Sequence, residues 1–159
     1  MPNTPTSDRN SIGHYLSGYA DGEGSFLVSF SPRLKLLTSL EVRPSFSVSQ
    51  NHDRAEVLYL FKEFLQCGTV RKNSSDRTFK YEVRSIKDLV GKVITHFKTY
   101  PLLSSKRKDF EVFKSVCRMV DRQDHLKKNM LKEIVELSYQ MNGFGARRYT
   151  KEFILSSIR

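Results

Sequence analysis

The sequence predicts an α+β fold whose elements run α-β-β-α-β-β-α and end in a helical tail. Three observations carry that expectation. Apolar residues recur at helical spacing in segments bounded by Gly, Pro or capping residues. Between them lie stretches in which apolar and polar side chains alternate, as in strands buried on one face. The strands come in adjacent pairs without crossover helices between them, which favours an antiparallel sheet. A length of 159 residues suits one hydrophobic core. The expected organisation is a flexible tail over residues 1–11 and a single domain over 12–159.

In order, Ile12 to Asp21 carries a helical stripe at Ile12, Tyr15, Leu16 and Tyr19. Ser25 to Ser31 alternates, with Phe26, Val28 and Phe30 opposite Leu27, Ser29 and Ser31. Leu34 to Thr38 is expected as a loop. Leu40 to Ser49 sets Leu40, Val42, Phe46 and Val48 against Glu41, Arg43, Ser45, Ser47 and Ser49. Pro44 lacks a ladder donor, so a bulge or an unpaired stretch is expected there. Asp53 with Glu56 forms a capping-box signal for a helix through Leu65, ended by Gly68. Thr69 to Lys72 and Thr78 to Arg84 form a hairpin around the turn Asn73-Ser74-Ser75-Asp76. Ser85 with Asp88 caps a further helix that reaches Tyr100 and stops at Pro101. Helices over about Ser105 to Asp121 and His125 to Met141 follow, and a short one runs on from a Thr150 cap.

Lys and Arg number 27 against 17 Asp and Glu, a formal charge of +10, and such an excess favours a polyanionic partner. No apolar run is long enough to suggest a membrane span, and no membrane partner is expected. The N-terminus has the form of neither a secretory signal nor a transit peptide, so the expected location is intracellular: a prokaryotic cytoplasm, or a chloroplast or mitochondrion if organelle-encoded. Cys67 and Cys117 lack zinc or disulfide spacing. His14, His52, His96 and His125 are scattered singly, which argues against a histidine metal site.

The chemistry concentrates at Leu16 to Ser25, L-S-G-Y-A-D-G-E-G-S. Ser17, Gly18 and Gly22 leave a helix face bare enough for another backbone to pack against. The turn that follows, Asp21-Gly22-Glu23-Gly24, hangs a carboxylate off the helix end, where a hard cation could bind. The wet faces of the strands carry Ser29, Ser31, Arg43, Ser45, Ser47, Arg71, Lys80, Glu82 and Arg84. Arg can grip guanine edges, Ser and Glu can bond to bases, and Lys and Arg neutralise phosphates.

The decapeptide resembles the LAGLIDADG motif of homing endonucleases, and it occurs once. Gln50 with Arg54 four residues later, and Lys106 five residues after Pro101, also match the single-motif members, so the resemblance covers about residues 12 to 120. It implies a saddle-shaped antiparallel sheet and Mg²⁺-dependent cleavage of both strands of a long, near-palindromic DNA site, with Mn²⁺ or Ca²⁺ able to substitute for binding. Glu23 and the Gly22 carbonyl would hold metal, Gln50 and Arg54 would organise solvent at the scissile phosphates, and Lys106 would stabilise negative charge. DNA contacts would map onto Leu27, Ser29, Ser31, Arg33, Ser47, Arg71, Asn73, Lys80, Glu82 and Arg84, with Arg43 and Ser45 added from the strand pattern. One motif supplies half of an active-site pair, so the resemblance implies a homodimer packed through Ser17, Gly18, Asp21 and Gly22. The same scaffold also serves intron-RNA maturases and catalytically silent DNA-binding proteins, which remain alternatives.

Overall fold

The computed structural model describes residues 6–143 and 147–159. The elements are α1 (Thr6–Glu23), β1 (Gly24–Pro32), β2 (Leu40–Asn51), α2 (Glu56–Leu65), β3 (Thr69–Lys72) and β4 (Thr78–Val83). They continue with α3 (Ile86–Asp88), α4 (Ile94–Thr99), α5 (Lys106–Asp121), α6 (Lys128–Ser138) and α7 (Lys151–Ser156). The fold is α+β, and its four-stranded antiparallel sheet has the order β1-β2-β4-β3. The chain divides into two compact units. One comprises the residues up to Ser25 together with Ser45–Arg107, and the other Phe26–Pro44 with Lys108–Arg159.

In the first unit α1 begins at Thr6, six residues before the apolar stripe that marks it in the sequence. Tertiary contacts hold this extra length. Arg9 lies over the Phe64 ring at 4.4 Å, and Asn10 Oδ1 accepts from the Tyr100 hydroxyl at 3.0 Å. The expected tail therefore does not extend over residues 6–11, and residues 1–5 lie outside the described residues. Around the buried Leu16 and Ala20 the core gathers Phe46, Val48, Leu58, Phe61, Tyr81 and Phe97. Phe61 stacks on Tyr81 at 5.7 Å, and Phe46 meets Phe97 edge-on at 5.3 Å.

The Asp53 capping box does not form. His52–Arg54 make a 3₁₀ turn instead, and α2 starts after Ala55 with no side-chain cap. Gly68 takes φ +84°, and a Cβ there would sit 2.6 Å from the Tyr81 ring, so the chain can leave α2 for β3 only with glycine. Ser85 caps as expected, accepting from the Asp88 N–H. The long helix expected after it is interrupted by a π-helical stretch, Leu89–Val93, which keeps Leu89, Val93, Ile94 and Phe97 all facing inward.

Pro44 does not break β2, and it is buried at the same strand parity as Phe46 and Val48. Pairing with β4 begins at Phe46↔Val83, two residues beyond the proline, so its missing N–H costs that ladder nothing.

The second unit packs Phe26 against Phe110 and Phe113 at 5.5 and 5.1 Å. Leu131, Ile134, Val135 and Ile154 complete that core. Arg147 is a structural clasp here: its guanidinium donates to the Val28 carbonyl (3.1 Å) and the Ser138 carbonyl (2.6 Å) while lying over the Tyr139 ring at 4.3 Å.

Candidate active site and nucleic-acid interface

One flank of α1 is buried in its own unit and the other is bare. Tyr15, Gly18, Gly22 and Glu23 are exposed, and a Cβ at Gly18 or Gly22 would meet nothing within 4 Å. Ser17, expected on this small-residue face, is 2% exposed. Its hydroxyl donates to the Tyr100 carbonyl at 2.6 Å and lies 3.0 Å from His96 Nε2. One residue along a helix rotates by about 100°, and that step carries Ser17 inward from Gly18. Gly24 makes the helix-to-strand turn possible, since a Cβ there would lie 2.7 Å from the Ala20 carbonyl oxygen.

The two acids of the turn differ in surroundings. Asp21 accepts from the N–H groups of Leu103 (2.9 Å) and Ser104 (3.0 Å) and from the Ser104 hydroxyl (2.5 Å). Both of its oxygens are thus engaged by its own chain. Burial raises its carboxyl, but those hydrogen bonds and the Lys106 charge outweigh burial and hold it below its ordinary value. Glu23, the last residue of α1, is exposed.

Lys106 reaches the same helix end. Its ammonium donates to the carbonyls of Ala20 (3.1 Å) and Gly24 (2.5 Å), which bracket Glu23 in sequence. Its backbone N–H donates to Ser104 Oγ at 3.2 Å, so the Asp21–Ser104 contact and Lys106 form one chain of hydrogen bonds. A cation on these carbonyls also answers the negative end of the helix dipole. Near the end of β2, Gln50 donates through Nε2 to the Tyr19 hydroxyl and accepts from the Asn51 N–H at 2.8 Å. Gln50 and Arg54 line, with Tyr15, Tyr19 and Tyr59, an open groove of 640 Å³. The structure thereby ties Lys106 and Gln50 to α1 and sets Arg54 beside Gln50.

The strand faces are less uniform than their alternation suggests. In the second unit Leu27 is exposed and Ser29 and Ser31 are half-buried. Arg33 and Arg43 both approach Glu41, at 3.1 and 3.8 Å. In the first unit Ser47 is half-buried, and Ser45 is 8% exposed, which closes it to a duplex. Alternation tells which way a side chain points, not what covers it. Asn73 Oδ1 accepts from the Ser75 N–H and hydroxyl and is used within its own turn. Glu82 lies on the polar face yet is 6% exposed, with Arg71, Lys80 and Arg84 at 2.9, 3.2 and 2.7 Å. Burial raises its carboxyl; the Lys80 hydrogen bond and the charges of Lys80, Arg84 and Arg71 overcome this and lower it.

Sequence reasoning missed four of these roles. The Glu41 and Glu82 ion pairs had a signal, because Arg43, Lys80 and Arg84 stand two residues from an acid on the same strand face. Tyr19 as the anchor of Gln50, and Ser104 as the link from Asp21 to Lys106, had none.

A family model described as LAGLIDADG endonuclease matches residues 16–117. The probable intron-encoded endonuclease 2 of Neurospora crassa is 30% identical over 146 residues, which is 91% of this chain and 32% of that protein. The crystal structure of the homing endonuclease I-TnaI is 33% identical with a TM-score of 0.84, covering 92% of this chain and 97% of that one. The I-LtrWI LAGLIDADG homing endonuclease, bound to target DNA, is 30% identical with a TM-score of 0.83, covering 88% of this chain and 47% of that one. This chain spans about a quarter to a third of the length of curated relatives such as these intron-encoded proteins.

Proposed function

Because the chain belongs to the LAGLIDADG endonuclease family, we propose that it is a site-specific homing endonuclease, cutting both strands of a long, near-palindromic DNA site as a metal-dependent homodimer. The observation that carries this reading is the end of α1: an exposed Glu23, a lysine on the adjoining carbonyls, and a glycine face that nothing in its own unit fills.

The bare face supports dimerisation, since Gly18 and Gly22 let a second α1 approach closely and bring two Glu23 side chains together.

The Glu23 carboxylate and the Gly22 carbonyl are hard oxygen donors of the kind Mg²⁺ takes, and Mn²⁺ or Ca²⁺ would be accepted for binding. Among the described residues no three His, Cys, Asp or Glu side chains gather into a metal site. The donors therefore fit such a cation in kind, and in number when two chains supply them. When bound, the cation supplies positive charge to the attacking and leaving oxygens of the displacement.

The rest falls to the chain's own residues. Gln50 and Arg54 order water at the scissile phosphate, and Lys106 sets a positive charge where negative charge builds on that phosphate. The exposed Arg and Lys side chains of the strands hold the duplex. No helix among the described residues is long and apolar enough to cross a membrane. The intron-encoded relatives support an intron-borne reading frame expressed within an organelle.

The test is incubation of the full chain with a library of duplex sites and Mg²⁺. Double-strand cleavage at a discrete site, falling faster than linearly on dilution, supports the reading. A stable monomer in sedimentation, or binding of intron RNA with no cutting of any duplex, overturns it.

A further inference from the structure

Period-two spacing and strand register bring four charged side chains together on the β3–β4 hairpin. Lys80 and Glu82 follow one another on the polar parity of β4, Arg84 continues that parity one residue past the strand, and Arg71 of β3 stands opposite Lys80. Glu82 sits at the centre: Arg71 Nη2, Lys80 Nζ and Arg84 Nε all lie within 3.2 Å of its carboxylate. The side chains of the three cations remain 61%, 45% and 58% exposed around a carboxylate only 5% exposed. A carboxylate taken out of water must be compensated. Here three cations do so for one acid, which leaves a net charge of +2 on the surface.

The way the arginines are held is informative. Arg84 Nε lies 2.7 Å from the Glu82 carboxylate. Arg71 is bound through one terminal nitrogen. Both line a 350 Å³ cleft with Thr69 and Ser85. Phosphate contacts tolerate a loosely placed charge, whereas bidentate reading of a base edge needs a planar fork fixed in orientation.

We propose that Glu82 makes no contact with DNA and is a positioning residue, holding Arg71 and Arg84 as an oriented pair that reads base edges and sets sequence discrimination. The inference rests on the DNA endonuclease reading. It makes an unusual prediction of sign. Removing the acid adds one net positive charge, so sequence-independent affinity holds or rises while discrimination falls.

The experiment selects duplexes from a randomised library with the full chain, then titrates the selected consensus and a scrambled duplex of equal length at several salt concentrations. Glu82→Gln should lower the consensus-to-scrambled affinity ratio about tenfold. Binding of the scrambled duplex should be undiminished, with a salt slope steeper by about one. Arg71→Ala and Arg84→Ala, at exposed sites, should each relax the consensus at adjoining base pairs, and Glu82→Gln should add nothing to the double variant. A ratio unchanged in Glu82→Gln overturns the inference. So does an equal loss on both duplexes with a lowered Tm, or a consensus untouched by the arginine variants. A wild-type protein that selects no consensus overturns the endonuclease reading as well.

Discussion

The end of α1 and the β3–β4 hairpin both set acids among basic side chains, and they treat them in opposite ways. The strands of the hairpin carry one acid, Glu82, buried beneath three cations. The helix end has two. Asp21 is bound by Leu103 and Ser104, while Glu23 is exposed two residues further on. A carboxylate engaged by its own chain orders that chain, and one left outside is available to a ligand. Position relative to neighbours, not residue type, separates the two roles.

The sharpest way to break this comparison is Glu23→Gln. If Glu23 serves a ligand, cleavage should fall at least about a thousandfold, with duplex affinity and Tm close to wild type. A lowered Tm without loss of cleavage would place Glu23 with Asp21 and Glu82. Next in size is Gly18→Leu. Since a Cβ there meets nothing in the same unit, the single chain should fold normally, while association weakens by about a hundredfold in analytical ultracentrifugation because two α1 backbones can no longer approach. Unchanged association would remove the bare face from the dimer contact.

Acid titration separates the two regions without mutation. His96, behind α1, lies 3.0 Å from Ser17 and is buried against Phe64, Phe97 and Tyr100. Burial, then the charges of His14 and Arg9, lowers its pKa to about 4. The unfolded chain binds this proton first, so stability is complete above about pH 6.5 and is lost as pH falls toward 4. The loss approaches about 3 kcal/mol. Glu82, whose pKa is also lowered, loses its contribution only below the ordinary carboxylate value. Amide protection should therefore weaken in α1 between pH 6.5 and 4 while the hairpin still holds. Simultaneous loss, or a flat profile that His96→Phe does not alter, would contradict this assignment.

How much of this was legible in the sequence follows from the same distinction. The buried faces of β1 and β2 and the stripe of α2 were readable, because burial recurs at the period of the backbone. The glycine face and the candidate group Glu23, Gln50, Arg54 and Lys106 came from the motif and its spacings. Ser17 was misplaced because small size does not reveal which way a helix is turned. Ser45 and Glu82 were set in the open because alternation reports direction and not cover. The Asp53 capping box lost to a 3₁₀ turn, a choice between local hydrogen bonds that the motif alone cannot settle. Asp21 with Ser104, 83 residues apart, has no local signal at all.

That long-range contact supplies the smallest effect and the finest test of the contrast between acids. Asp21→Asn keeps the shape but removes the charge that three donors address, and it should cost about 1–2 kcal/mol. Because the folded pKa of Asp21 is depressed, its contribution is present above the unfolded value near 3.8 and is lost as pH falls through the folded value. The stability gap between wild type and variant should thus be constant near neutrality and close in strong acid. The charge also orders Ser104, which accepts from the Lys106 N–H, so turnover should fall several-fold with little change in duplex affinity. Glu23→Gln should show the reverse pairing, a large loss of turnover with Tm close to wild type, and matching outcomes for the two variants would dissolve the distinction between an acid that builds the site and an acid that works in it.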